Sequence, residues 1–443
     1  MEAYVSRGRG ERGAILIQVA ISILALTGFT AFVVDHGVLW VARGQAQNAA
    51  DAGALAGAIA LSFDDVDYPP TTTRPVNRAK LTAQCASRPA GCPTTAPFAN
   101  PVWPSQTGAS TKVDPSFDCP PGVAGRCVRV DVYRNGYSTS TALPMFFGPL
   151  LGITSQGVRA TASARVVNAT AVNCMRPFSV ADKWIESYSP TDEYNHYDST
   201  GNVLAGTPDQ YLPPTSGSAG SGYRATGSPN DIGAQVTLML GNPTNNEPVM
   251  KSWSLPLRLP DRLGGYFSGG DDYREAIAGC KAGPVAIGAY LSPETGAMTG
   301  PTDQGFTDLR LKDPGATFTT STNPPSVQGG CVPSCGPISP RVVPIAVFDM
   351  DEFQWRRATN KWGTEVYTDA NGGTHSLPGG ACPGTGNRCV RVVNILGFFA
   401  ASMTNGNPKT IIGNLMSVPG TVVSGTSSLS DDASFLHIVQ LVR

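Results

Sequence analysis

The sequence predicts an α+β protein in which a single N-terminal transmembrane helix continues into an alanine-rich stalk, followed by a β-rich, loop-rich exported region. Three observations support this fold class. Residues Ala14 to Val34 carry no formal charge, alanines continue a helical pattern as far as Leu61, and the 443-residue chain has 50 glycines and 37 prolines but only 15% charged residues. That composition favours short strands, turns and long loops after the helix.

The first element is a membrane span of 21 residues. At about 1.5 Å per residue it reaches across a hydrocarbon core of roughly 30 Å. A cleaved signal peptide would have a shorter apolar stretch and a break in the helix, so we expect an uncleaved anchor. Arginines precede the span at Arg7, Arg9 and Arg12. The positive-inside bias then leaves the N-terminus in the cytoplasm and exports everything after Asp35.

The second element is a stalk with two kinds of surface. Small residues recur at steps of four and three and form a heptad seam, which packs either on the protein's own β-region or on partner helices. A polar stripe of Arg43, Gln47 and Asp51 runs beside this seam. At the membrane exit, Asp35 either marks the headgroup boundary or pairs with a basic residue of a partner helix. The seam consists of Ala42, Ala46, Ala49, Gly53, Ala56 and Ala60.

Shifts in composition divide the chain into five segments. The exported part after the stalk opens with proline and threonine, and strand-like alternation resumes only beyond it. The predicted segments are a cytoplasmic leader (1–13), the transmembrane helix plus stalk (14–62), a Pro/Thr-rich connection (63–116), a small β-region (117–170) and a β-rich exported domain (171–443).

Ten cysteines form an even set in a region exposed to an oxidising compartment, which favours disulfides. Zinc is the competing use, but the chain has no Cys-x-x-Cys pair and only four histidines. Two of the cysteine loops, "CPPGVAGRCVRVDV" and "CPGTGNRCVRVVNI", each predict a stapled β-hairpin. The candidate disulfide cysteines are the close pairs Cys85/Cys92, Cys119/Cys127, Cys331/Cys335 and Cys382/Cys389, with Cys174 and Cys280 as long-range candidates.

The sequence contains no Gly-x-Ser-x-Gly elbow, no His-Glu-x-x-His motif and no Walker loop, so we expect no enzyme activity and no cofactor. His196 with Asp198 is either a metal or general-base loop or a solvated acidic loop. Asp349, Asp351 and Glu352 are either calcium ligands or a polar cluster at a strand end. The net charge is −1 without a basic cluster, which disfavours nucleic acid as a partner.

The N-terminal residues resemble a known family. Arg12-Gly13, the apolar span, Asp35-x-Gly37 and the block "QNAADA" from Gln47 together are similar to the signature of TadG-like proteins of the Flp, or tight-adherence, pilus assembly system. A weaker resemblance to TadE/TadG-type proteins runs on through "TALPMFFGPLLGITSQGVRATASARV" into the C-terminal region. The metal motif Asp-x-Ser-x-Ser of family members with a von Willebrand type A domain is missing, so no metal site is carried over.

The resemblance implies a membrane-anchored structural or accessory protein of Flp-type pilus assembly or secretion. Such a protein would sit in the bacterial inner membrane with most of its chain in the periplasm, and would contact other pilus assembly or TadE/TadG-type proteins. Type IV pilins also resemble the segment after Gly13, but they have glutamate where this chain has Gln18. An amide cannot form the pilin ion pair, which argues for an assembly factor with a retained leader and against a filament subunit.

Two other function classes stay open. The first is an anchored surface or envelope-binding module, an adhesin or carbohydrate binder, which would use the aromatic residues Trp184, Tyr188, Tyr194 and Tyr197. The second is an anchored hydrolase, which would need an acid/base pair that the sequence does not display.

Overall fold

The structure is a computed structural model. It describes residues 10–63, 110–117, 119, 121, 126–137, 140–188, 193–214, 222–225, 230–241, 250–296, 298–321, 325–331, 338–369, 372–384, 388–404, 406, 409–423, 429 and 433–442. Most of the predicted connection 63–116 therefore lies outside the described residues, as do Cys85, Cys92 and Cys335.

The longest element is helix α1, Gly10–Phe63, with 54 residues. It contains no proline, so no backbone N–H is removed and the span and stalk form one helix. The described residues also form α2 (Gly270–Ala278), α3 (Thr299–Leu311), α4 (Met350–Thr359) and two 3₁₀ turns (Gly148–Leu151 and Pro378–Gly380).

The strands follow in chain order and are mostly short. They are β1 Ser110–Phe117, β2 Arg126–Arg134, β3 Leu143–Pro144, β4 Ser155–Gln156, β5 Val158–Asn168, β6 Ala171–Val172, β7 Ser179–Ala181, β8 Trp184–Ile185, β9 Gln210–Tyr211, β10 Gln235–Leu240, β11 Trp253–Ser254, β12 Val285–Ala286, β13 Tyr290–Leu291, β14 Ala316–Thr319, β15 Ser326–Gly329, β16 Val342–Phe348, β17 Tyr367–Thr368, β18 Thr374–His375, β19 Val390–Met403, β20 Thr410–Met416, β21 Val418–Pro419 and β22 Leu436–Val442. A long apolar helix followed by several sheets confirms the predicted α+β class.

The described residues fold into two compact units. Unit 1 lies within Met1–Leu61, Thr73–Val166 and Val439–Arg443, and unit 2 lies within Ser62–Thr72 and Val167–Ile438. The predicted boundary between β-regions falls at 170, a few residues after the division at Val166, and the last residues of the chain join unit 1 and not the second β-region.

Unit 1 packs the stalk of α1 on an antiparallel sheet. Strand β2 lies between β1 and β5 and pairs antiparallel with both. Alternate residues point to one face of a strand, so one face of this sheet can be wholly apolar. The buried apolar residues on the strands are Val128, Val130, Val132, Val158, Ala160, Ala162, Ala164 and Val166, and they form one core with the alanines of the stalk.

Strand β1 begins inside the segment predicted to be a connection. Its sequence, "STKVDPSF", contains Pro115, which cannot donate a ladder hydrogen bond. The strand tolerates this proline because β1 is at the sheet edge and its register with β2 shifts between Asp114 and Phe117.

Unit 2 is built on a mixed sheet in the order β11-β10-β20-β19-β16-β7, with β13 also paired to β19. Both faces of this sheet are covered, which explains the continuous apolar sequence "VVPIAVF" of β16. Val343, Ile345 and Val347 belong to the core that includes α2 and α3, whereas Ala346 and Phe348 belong to the core that includes α4.

Candidate functional site

The carboxylate of Asp35 holds a loop of unit 1. One oxygen, Oδ1, accepts a hydrogen bond from the backbone N–H of Phe146 at 2.8 Å. The other, Oδ2, accepts from the N–H groups of Phe147 at 3.1 Å and Gly148 at 2.8 Å. Asp35 is only 6% exposed as a result. The sequence offered two roles for Asp35, and neither included this contact across more than 100 residues.

Local geometry explains why this loop presents three successive N–H groups. A 3₁₀ turn begins at Gly148, and the first N–H groups of such a turn have no partner within it. Successive backbone N–H groups make a concave site for an anion. A side chain at Gly148 would collide with the carbonyl oxygen of Ile153 and with Met145, so glycine is required there. The sequence signal is the "FFGP" motif, whose role becomes visible only once Asp35 is placed beside it.

The small-residue seam faces the protein's own sheet. Ala42, Ala46 and Ala49 are buried in the core shared with β2 and β5. Beyond Gly53 the buried positions move to Ala54 and Ala58. A straight helix has 3.6 residues per turn, so its buried stripe drifts away from a strict seven-residue seam. Ala56 is accordingly half-buried, and the side chain of Ala60 lies outside the described residues.

The polar stripe lies beside this packed face. Gln47 donates from Nε2 to Oδ1 of Asp51 at 2.8 Å and to the carbonyl oxygen of Thr161 at 3.3 Å. Arg43 is exposed. The stripe therefore clamps the stalk to strand β5 through Gln47 and leaves Arg43 on the outer surface, where a contact with a partner protein stays a prediction.

The span itself is exposed along its length. One helix in the described part of the chain is long and apolar enough to cross a membrane, with a mean hydropathy of 2.1 in its most apolar window. Side chains such as Leu24 and Phe29 project outward without a protein partner burying them. This pattern is typical of a helix surrounded by lipid.

These features define a class of protein: one with an N-terminal apolar helix that is long enough to cross a membrane and whose stalk packs on a small antiparallel sheet. The class can be narrowed, because residues 13–60 match the family model described as "Putative Flp pilus-assembly TadE/G-like". This match supports a TadG-like, Flp pilus assembly-related protein, and helix and family together fit membrane anchoring. Comparison with curated proteins and with solved structures found no match.

Three disulfides among the described residues join cysteines that the sequence analysis paired: Cys119–Cys127, Cys174–Cys280 and Cys382–Cys389. Cys331 is also disulfide-bonded.

The two similar cysteine loops differ in structure. Cys119 and Cys127 close the β1–β2 hairpin, as predicted. The second prediction is wrong, because a 3₁₀ turn precedes Cys382 and the strand after Cys389 pairs with β13, β16 and β20 instead. The sequence that the two loops share therefore predicts the strand after the second cysteine but not the strand with which it pairs.

In unit 2 the acidic cluster predicted at a strand end is a buried ion-pair network. Asp349 caps α4 by accepting from the N–H of Glu352 at 2.9 Å, and it pairs with Arg391. Glu352 accepts from Nε of Arg391 at 2.7 Å and from Nε of Arg356 at 2.8 Å. Burial raises the pKa of Asp349 to about 6, although the Arg391 charge opposes this. The carboxylates are thus occupied by arginines of the same unit.

Three tyrosines surround the third acid of the cluster. Asp351 accepts hydrogen bonds from the hydroxyls of Tyr194, Tyr197 and Tyr367, of which the Tyr197 bond is 2.9 Å long. Burial, followed by the charge of Asp351, raises the pKa of each tyrosine, so all three stay protonated donors. The arrangement fixes α4 against its neighbouring loops. Both oxygens of Asp351 accept hydrogen bonds from tyrosines, so this carboxylate is not free to bind calcium, the other role that the sequence left open.

Asp182 is a second buried acid with unusual titration. Its carboxylate accepts from the N–H of Lys183 at 2.9 Å and from the hydroxyl of Tyr211 at 3.1 Å. Burial raises its pKa to about 8, and the nearby charge of Asp349 adds to this. At neutral pH the group is therefore largely a neutral acid that donates or accepts within the core.

The His196 loop is held by its own backbone. His196 Nδ1 lies 2.5 Å from the carbonyl oxygen of Asp209. Asp198 accepts from the hydroxyl of Thr200 at 2.7 Å and from the N–H groups of Thr200 at 2.8 Å and Asn202 at 3.0 Å, and these bonds lower its pKa. His196 and Asp198 thus serve turns of the loop, and the acid/base pair that a hydrolase would need is not formed between them.

The aromatic residues proposed for carbohydrate binding do not form a surface platform. Trp184 and Tyr194 are buried and pack edge to face, with ring centroids 5.5 Å apart. Tyr197 is directed to Asp351, and Tyr188 alone of the four is exposed. Stacking on a sugar requires exposed ring faces, so this set offers no support to a carbohydrate site.

Proposed function

We propose that this chain is a membrane-anchored structural or accessory protein of Flp-type pilus assembly or secretion, and that it acts through protein contacts and not as an enzyme. The observation that carries the proposal is the coincidence of the family match at residues 13–60 with helix α1. The matched segment contains both the apolar span, which supports anchoring, and the stalk, which packs on the sheet of unit 1.

The proposed setting is the bacterial inner membrane, crossed once, with the N-terminus cytoplasmic and the rest periplasmic. The arginines before the span support this orientation through the positive-inside bias. Three disulfides after the span agree with an oxidising compartment.

The proposed partners are other pilus assembly or TadE/TadG-type proteins, with the outer side of the stalk as the contact surface. The inner side is occupied by the sheet of unit 1, whereas Arg43 remains exposed. An exposed arginine can pair with an acidic partner and contribute specificity.

Photo-cross-linking in a pilus-forming host tests this proposal. A photoreactive residue replaces Arg43 in the full chain, and a matched control replaces Leu263, which is 97% exposed in unit 2. We expect adducts with pilus assembly or TadE/TadG-type proteins from position 43 and fewer from position 263. Adducts from position 43 that contain no protein of the pilus apparatus would contradict the proposal.

A further inference from the structure

A charge-free loop of unit 1, Met145–Ile153, exposes an unusual number of large apolar side chains. We name this segment, "MFFGPLLGI", the apolar loop. Phe146 is 70% exposed and Leu150 is 82% exposed, and Phe147 and Ile153 are each more than 40% exposed. Apolar side chains clustered on one loop of a soluble surface are costly in water and mark a contact site.

The position of the loop identifies what it contacts. Asp35 directly follows the last residue of the uncharged span, and its carboxylate binds the N–H groups of Phe146, Phe147 and Gly148. The loop is therefore fixed at the level where α1 leaves the hydrocarbon core. No formal charge occurs between Arg134 and Arg159, so nothing charged within this stretch opposes burial in lipid.

The helix surface at the same level has matching character. Val33 and Val34 before Asp35, and Trp40 and Val41 after it, are all exposed. Tryptophan is enriched where membranes meet water, because its ring is apolar with one polar N–H. The apolar loop thus lies beside α1 and extends the apolar surface of the span.

We propose that the apolar loop inserts into the outer boundary of the bilayer that α1 crosses. Phe146 and Leu150 lie among the acyl chains, and the Asp35 carboxylate lies at the headgroup level with the three N–H groups that it binds. The inserted loop gives the protein a second contact with the membrane beside the helix. Because a single helix can tilt and rotate freely, this second contact fixes how unit 1 stands on the membrane surface. The inference depends on the proposed membrane anchoring but not on any role in pilus assembly.

Nitroxide labels on the full chain in phosphatidylethanolamine–phosphatidylglycerol vesicles test the inference. Single cysteines are introduced by Leu150→Cys, by Ile23→Cys in the span, and by Ile59→Cys at an exposed apolar position of the stalk about 36 Å beyond Asp35. Collision rates with oxygen, which concentrates in lipid, and with a water-soluble nickel chelate are then compared. We expect the oxygen-to-nickel ratio at position 150 to be several-fold above the ratio at position 59 and closer to the ratio at position 23.

Each other outcome overturns the inference in a distinguishable way. If position 150 has the same ratio as position 59 while position 23 has a lipid-like ratio, the loop lies in water and the helix is still anchored in the membrane. Low collision rates with both reagents at position 150 indicate that protein covers the loop. A water-like ratio at position 23 would reject the anchoring itself. Phe146→Cys provides a second loop position, and circular dichroism checks that each labelled protein is folded.

Discussion

Replacing Asp35 with asparagine probes the contact between the helix and the apolar loop with almost no change in size. Asparagine keeps one carbonyl oxygen, which can still accept from Phe146. Its NH₂ group, however, then faces the N–H groups of Phe147 and Gly148, which lie 3.1 and 2.8 Å from Oδ2 in the native protein. Two donors directed at each other cannot bond, and the negative charge that strengthened the bonds is gone.

The expected magnitude follows from these bonds. A hydrogen bond to a charged group contributes about 1.5–3 kcal/mol, and part of the loop remains accessible to water. Losing two such bonds should lower the free energy of opening the loop by about 2–4 kcal/mol, which corresponds to about 30-fold to 1000-fold faster exchange. The global fold should persist, because the core between the stalk and the strands is unchanged.

Hydrogen–deuterium exchange of the full chain in detergent, read by mass spectrometry on peptides covering Met145–Ile153, measures this directly. The matched control is Asp51→Asn, which alters a carboxylate on the same helix that accepts from Gln47 at the surface. We expect faster exchange in the loop for Asp35→Asn alone. Equal exchange in the two variants would refute the reasoning that Asp35 holds the loop.

Three further predictions concern packing, titration and cross-linking. Ala50→Leu should destabilise unit 1 by about 1–3 kcal/mol, because Ala50 is fully buried against the sheet, whereas Ala52→Leu on the exposed side should have little effect; thermal unfolding compares them. Asp182 has a folded pKa raised to about 8, so its contribution to stability is complete below about pH 4 and is lost as the pH rises to 8. The Asp182→Asn variant cannot ionise at this position, so its melting temperature should rise relative to that of the wild type between pH 5 and pH 8. A difference in melting temperature that stays constant with pH would contradict the titration. Removing Cys174–Cys280, which joins residues 106 apart, by the double change to alanine should cost about 4–5 kcal/mol in the chain-entropy account, measured by denaturant unfolding under oxidising conditions.

Local sequence patterns predicted the features that depend on near neighbours. The span and stalk follow from uncharged and alanine-rich runs, and the Cys119–Cys127 hairpin follows from close spacing. The seam was predicted as far as Gly53, after which the true helical period moved the buried face by one residue.

Features that depend on distant residues could not be predicted in this way. The N–H groups that donate to the Asp35 carboxylate belong to residues more than 100 positions away. Every residue type except proline has such a group, so the sequence does not show which of them bind. Likewise, Asp351 was visible as an acid in "FDMDEF", but its partner Tyr194 stands 157 residues earlier. The strand from Ser110 was hidden because Pro115 suggests a loop unless an edge position is known.

The central claim, an anchored protein needed for Flp-type pilus assembly, is tested most directly by the amount of pilus on the cell surface. The gene is deleted in a pilus-forming host, and the strain is complemented with the full chain or with a chain whose residues 14–34 are replaced by a cleavable signal peptide. We predict that sheared surface pilin is lost on deletion, returns with the full chain, and does not return with the released form. Normal surface pilin in the deletion strain, or full rescue by the released form, would contradict the account.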